Sequence, residues 1–174
     1  CVLFSLVGSF TYINLHLAGE PWRLDTGSLA NLFAIYLIGM VITPLSARLI
    51  SQLGSARTVL LAVLLSMLGV LGTQVQPLWL IIVALTLVSS GVFITQAATI
   101  NYIAVHVREG RSLATGLYYM AYYTGGTVGA WLGGMAYAHS AWQGVVWLLL
   151  AVQLLALLVA GIGMRGFRPR AAQG

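Results

Sequence analysis

The chain has 174 residues, of which 60% are hydrophobic and only 6% are Asp, Glu, Lys or Arg, against about 25% charged residues in a typical soluble domain. That deficit excludes an ordinary water-soluble globular domain and a disordered chain. The formal net charge of +5 comes from scattered arginines with no lysine, so there is no basic helix or aromatic-interleaved basic patch of the kind that binds nucleic acid. The arginines read instead as topology signals of a membrane protein.

The first apolar segment covers residues 2–18, short against the roughly 20 residues that cross a bilayer. With no leading methionine and no charged n-region before it, the N-terminus reads as cut into a longer protein. Ser5, Ser9, Tyr12 and His16 share one face of this segment, and Asn14 lies nearby. In the turn that follows, Gly19, Pro21 and Gly27 break helicity and Trp22 suits the membrane interface. The lone Cys1 permits no internal disulfide and no metal-ligand spacing.

The second segment, residues 28–50, has a semi-polar side of Asn31, Tyr36, Gly39 and Thr43, and Pro44 predicts a kink in its later part. It runs into SARLISQLGSAR, where Arg48 and Arg57 bracket Gly54. A hinge this short makes the second and third segments antiparallel neighbours. The third, residues 58–74, is almost purely aliphatic, with Ser66 its main polar exception. The fourth, residues 78–105, is long and carries Thr86, Ser89, Ser90, Thr95, Gln96, Thr99 and Asn101. Its excess over one span allows tilt or extension beyond the hydrocarbon.

The densest charge cluster, HVREGR with Arg108 and Arg111, precedes the fifth segment, residues 112–138. That segment is uncharged. Tyr118, Tyr119, Tyr122 and Tyr123 pair one helical turn apart, and Gly125, Gly129 and Gly133 repeat every fourth residue as close-packing positions. A turn at residues 139–141 leads to the sixth segment, residues 142–163, aliphatic except for Gln153, and residues 165–174 form a basic tail.

Arg48, Arg57, Arg108, Arg111, Arg165, Arg168 and Arg170 fall on one side of the predicted membrane and only Arg23 on the other. The positive-inside rule then places both chain ends in the cytoplasm. Polar groups in hydrocarbon must be paired or face a lumen. Segments one, two, four and five carry such groups, so they are expected to surround a polar cavity, with three and six against lipid. The fold class is therefore all-α, a bundle of six transmembrane helices.

Six spans, a basic hinge after the second and a glycine-rich fifth resemble the C-terminal half of a major facilitator superfamily transporter. SARLISQLGSAR resembles that family's loop signature GxxxDRxGRR, with Ala47 and Gly54 at the glycine positions. It departs at Ser51 and Gln52, where the acidic and basic residues stand. FTYINLHL, YYMAYYTGGTVGAWLGG and WQGVVW resemble bacterial efflux-type members related to the inner membrane transporter YnfM, labelled arabinose efflux permeases. The resemblance implies a multi-pass inner-membrane protein that exports a small organic solute by alternating access, by proton antiport. It also implies a missing N-terminal six-helix half as partner.

Tyr118 and Tyr122 are the leading cavity candidates, because a phenol stacks on a solute and hydrogen-bonds it once. Asn14 and Gln96 follow as mid-membrane amides, then Tyr12 and Tyr36. Arg48, Gly54, Arg57, Arg108 and Arg111 form the gating and loop set; their simpler role is topological anchoring. His16 can titrate near neutral pH but sits where an interface histidine is expected. Glu20, Asp25 and Glu109 all lie in turns, so any proton-carrying carboxylate is expected in the other half. No nucleophile, base or metal ligands converge, so the chain is not read as an enzyme and needs no cofactor or metal. The alternative is a non-transporting membrane scaffold or truncated transporter remnant.

Overall fold

The computed structural model describes residues 1–32 and 34–164, excepting the side chains at 30, 31, 36, 38–40 and 43. Within them the chain is a six-helix, all-α, membrane-spanning bundle: α1 (Val2–Ala18), α2 (Thr26–Leu32), α3 (Ala34–Leu53), α4 (Ser55–Gly72), α5 (Leu78–His106) and α6 (Arg111–Gly163). Helices are what the composition requires, because hydrocarbon offers no partner to an unpaired backbone group. Among the described residues, α4, α5 and α6 are each long and apolar enough to cross a bilayer, and α1, at 17 residues, is just shorter. The second segment is described as α2 and α3, with Pro44 inside α3. The basic tail lies outside the described residues.

At 53 residues α6 would reach about 80 Å if straight. It is not straight. Ser140 (φ −143°, ψ 26°) and Ala141 (φ 49°, ψ −142°) leave helical geometry and fold it into two arms, residues 111–139 and 142–163. The arms return alongside α1. A β-carbon built on Gly8 of α1 would lie 3.0 Å from Leu149 Cδ2 in one arm and 3.8 Å from the Gly129 carbonyl oxygen in the other.

α4 and α5 form the other tightly packed pair. A β-carbon on Gly69 would lie 2.6 Å from the Ala84 carbonyl oxygen, and one on Gly91 would lie 2.5 Å from that of Ala62. Each helix thus contributes a glycine where the partner's backbone comes closest, which is how membrane helices gain dispersion contact without a hydrophobic drive. The core joins α1, α5 and the second arm of α6 through Leu6, Ile13, Leu85, Val88, Val145 and Leu149, all buried.

Segments three and six do not lie wholly against lipid. Each presents an aliphatic outer face, with Leu61, Leu64 and Leu68 on α4 and Leu154, Leu158 and Ile162 on α6 exposed. Their two polar exceptions turn inward, however, and Gln153 Nε2 donates to Ser66 Oγ at 2.9 Å in a buried contact. Each amide or hydroxyl is costly in hydrocarbon, and pairing them removes part of both costs.

The two ends of the bundle differ. At one, the imidazole of His16 stacks on Trp142 with centroids 5.7 Å apart and meets Trp22 edge-on at 5.0 Å. Trp142 Nε1 donates to Thr73 Oγ1 at 3.2 Å and Trp22 Nε1 to the Gln76 carbonyl at 2.8 Å. Three turns are thereby tied together. The opposite end holds the start of α1, the hinge before α4, the end of α5 and both ends of α6, and it carries Arg48, Arg57, Arg108 and Arg111, all exposed.

Candidate functional site

Phe93, Gln96, Ala97, Ile100, Asn101 and Ala104 recur at three- and four-residue spacing, so they line one face of α5. That face forms an open groove of about 490 Å³. Gln96 sits in it, and the Tyr122 hydroxyl of α6 donates to Gln96 Oε1 at 3.1 Å. This bond crosses a seam where α5 and α6 otherwise touch little. It brings together two of the residues singled out above as cavity candidates.

Tyr118 lies one turn earlier on α6, its ring 5.9 Å from that of Tyr122 and 5.5 Å from that of Tyr119. Its hydroxyl is buried without a hydrogen-bond partner among the described residues. Tyr123 is exposed. Tyr118 and Tyr122 therefore turn inward, although Tyr119 stacks between its neighbours rather than standing apart.

The remaining candidates are placed differently. Tyr12 donates its hydroxyl to the Ala130 carbonyl and stacks on Tyr137 with centroids 5.8 Å apart. It is thus committed to the contact between α1 and α6. Asn14 Nδ2 donates to the Phe10 carbonyl one turn back at 2.8 Å, and its Oδ1 is buried without a partner among the described residues. The Tyr36 side chain lies outside the described residues.

Among the glycines, Gly126, Gly129 and Gly133 are buried and Gly125 is only half-buried. A β-carbon on Gly129 would stand 2.8 Å from both Phe4 Cα and the Phe4 carbonyl oxygen, and one on Gly133 would stand 2.5 Å from Tyr12 Cε2. The contacting stripe is thus 126, 129 and 133, the spacing of a 3.6-residue helix, while a β-carbon on Gly125 would come no nearer than 3.6 Å to the Cys1 nitrogen.

At the basic end Gly54 has φ 78° and ψ 158°, a conformation that only glycine adopts without strain. Asn101 Nδ2 donates to Ser55 Oγ at 2.9 Å and so holds α5 against the start of α4. Arg48, Arg57, Arg108 and Arg111 form no ion pair among the described residues, where the salt bridge is Arg23 to Glu20. No group of three His, Cys, Asp or Glu side chains among the described residues could hold a metal ion.

Sequence reasoning passed over Tyr102. Its hydroxyl is also buried without a partner among the described residues, and its side chain lines the same cleft as Tyr118. The signal was present, since Thr95, Thr99 and Tyr102 share a face of α5 by their spacing. What was missing was the knowledge that this face meets the tyrosine arm of α6.

Several known proteins are similar to this chain in sequence. It is 30% identical over 161 residues to an uncharacterized transporter of Buchnera aphidicola subsp. Schizaphis graminum, a match covering 90% of this chain and 39% of that protein. It is 27% identical to an uncharacterized transporter of Buchnera aphidicola subsp. Baizongia pistaciae, covering 92% of this chain and 40% of the relative. It is 24% identical to the uncharacterized MFS-type transporter YybF of Bacillus subtilis, again covering 92% and 40%. The chain thus spans about two fifths of the length of these relatives. No solved structure matches it significantly. The sequence profile of the Major Facilitator Superfamily matches residues 1–173, and with nearly the whole chain covered, this multi-pass membrane protein belongs to that superfamily.

Proposed function

We propose that the chain is the C-terminal six-helix half of a twelve-span secondary transporter that exports a small organic solute by alternating access, coupled to protons, as in the YnfM-type efflux group. A member of this transporter family is not an enzyme. The observation that carries the reading is Gln96, which lines the open groove of α5 and accepts a hydrogen bond from Tyr122 of α6. Polar side chains on an open face at membrane depth are costly against lipid and favourable against a solute path between two bundles.

The positions of the acids bear on the proposed proton coupling. Glu20, Asp25 and Glu109 lie outside the helices, so the proton-binding carboxylate is assigned to the partner half. The exposed Arg48, Arg57, Arg108 and Arg111 mark the cytoplasmic end by the positive-inside rule. Without an ion pair among the described residues, they are proposed to meet acids of the other half at the inward-facing gate. Tyr118, Asn14 and Tyr36 complete the proposed lining, and Tyr12 serves the sliding contact between α1 and α6.

Reconstitution in liposomes tests this. Proton-gradient-driven flux of a panel that includes pentoses and cationic drugs is measured with and without a six-helix N-terminal half from a relative. Flux only with both halves is expected. Flux from this chain alone overturns the two-half reading, and flux in neither case favours a non-transporting scaffold.

A further inference from the structure

α3 ends at Leu53 and α4 begins at Ser55, so the single residue Gly54 joins them at the basic end. The two helices nevertheless touch each other little, because both pack against α5. Between them lies a groove of about 280 Å³, with Leu49 and Leu53 of α3 on one wall, Leu61 and Leu65 of α4 on the other, and the buried Ile94 of α5 behind them. The Thr58 hydroxyl at its edge donates to the Gly54 carbonyl at 2.9 Å, so it asks nothing of an occupant. Leu61 also begins the exposed aliphatic row of Leu61, Leu64 and Leu68 on α4. The groove is thus continuous with a face suited to hydrocarbon.

Its mouth carries positive charge. Arg57 stands one turn before Leu61 on the same row of α4, and Arg48 immediately precedes Leu49 on α3. Both are exposed, and neither forms an ion pair among the described residues. Residues 45–65 contain no Asp or Glu. We propose that this groove binds an anionic phospholipid, with one acyl chain against the leucines and Ile94 and the phosphate held by Arg48 and Arg57. Inside a bilayer the chain has no hydrophobic reason to prefer the groove; it gains dispersion contact with walls that would otherwise face a void. Selectivity therefore comes from the headgroup. Each arginine near the membrane surface favours an anionic lipid about fivefold, whereas the phosphate of a zwitterionic lipid is offset by its own ammonium. Arg48 and Arg57 also belong to the proposed gate, and a guanidinium has five N–H donors, so a phosphate on one side leaves donors for a carboxylate on the other. The lipid site goes beyond the transporter reading and does not depend on a solute.

The polypeptide is extracted from its native membrane at its native length and placed in phosphatidylcholine vesicles with a trace of phosphatidylglycerol bearing a diazirine on one acyl chain. After irradiation, crosslinked peptides are mapped by mass spectrometry. Label is expected within residues 49–65 and at Ile94. Unlabelled phosphatidylglycerol should displace it about 25-fold more effectively than phosphatidylethanolamine, and glycerol phosphate, a headgroup without chains, should not displace it. Arg48→Gln with Arg57→Gln should abolish that preference. Arg108→Gln with Arg111→Gln, which removes equal charge from the same end but outside the groove lining, should leave it intact. Unfolding temperatures establish that both double variants remain folded. Label spread evenly over the exposed leucines of α4 and α6 would mean an unselective lipid annulus, and a groove without label would mean that another part of the protein covers it. A preference lost equally in both double variants would mean surface charge alone. Each of these results overturns the proposal, as does displacement by glycerol phosphate. None of them bears on flux, so the transporter reading stands or falls separately.

Discussion

The first arm of α6 meets two neighbours in opposite ways. Against α1 it is packed closely, Gly129 on the backbone of Phe4 and Gly126 and Gly133 on the side chains of Leu3 and Tyr12, while against α5 it makes little contact and is joined by the bond between Tyr122 and Gln96. Small residues in the first seam let many weak dispersion contacts accumulate. In the second, large aromatic side chains hold the backbones apart and leave space beside them. The comparison teaches that one helix can be a structural member on one side and the wall of a site on the other.

The sharpest test of the close seam adds volume at one packed and one open position of the same arm. Gly129→Val drives a side chain into the backbone of Phe4, which cannot give way, and should cost about 3 kcal/mol or more, read as a lowered unfolding temperature in detergent. Gly116, on the same arm, has nothing within 4 Å of a built β-carbon. There Gly116→Ala should stabilise by up to about 1 kcal/mol through helix propensity alone, and a destabilisation would mean that this exposed position is packed.

The same atom can be removed from both seams. Tyr12→Phe deletes the hydroxyl bonded to Ala130 in the close seam and should cost about 1 kcal/mol. Tyr122→Phe deletes the one bonded to Gln96 and should cost only about 0.6 kcal/mol, while slowing solute flux more than Tyr12→Phe does. If Tyr12→Phe is the more harmful to flux in a protein of unchanged stability, the assignment of the two tyrosines is reversed.

The smallest effect concerns pH. The Asp25 carboxylate accepts hydrogen bonds from the Ser28 hydroxyl at 2.6 Å and the Gly27 amide at 3.2 Å. The Ser28 hydroxyl foremost, with the backbone amides, holds its carboxyl below the usual carboxylate range. A depressed folded-state pKa contributes stability above the unfolded value of about 3.9, and that contribution is lost as pH falls through the folded value. Amide exchange at the start of α2 should therefore quicken only below about pH 4. Neither seam contains a carboxylate, so their exchange should not follow.

Much of this could be read in the residues themselves. Gln96 and Tyr122 stand out because amides and phenols are rare and costly in apolar spans, and they do meet. Gly129 and Gly133 were legible as packing positions, but Gly126 replaces Gly125 because a four-residue repeat drifts around a helix of 3.6 residues per turn. Tyr12 looked identical in kind to Tyr122. Only the packing of α1 on the glycine stripe turns Tyr12 toward the Ala130 carbonyl of α6, while Tyr122, on α6 itself, reaches Gln96 of α5. Ser66 and Gln153, isolated exceptions in two aliphatic segments, proved to be each other's partners across 87 positions of chain.

Composition by itself determined the class of this protein: with so few charges and so many apolar residues, the chain must bury its backbone in helices within a bilayer. Local sequence likewise set the breaks in those helices and gathered the arginines at their recurrent turns. The tertiary structure alone decided which polar groups are satisfied and which are left over, because a partner far along the chain depends on how each helix is rotated and how closely it approaches. By that criterion Tyr12 became structural, while Gln153 is bonded through Nε2 to Ser66 but keeps its Oε1, like the Tyr102 and Tyr118 hydroxyls, buried without a partner among the described residues.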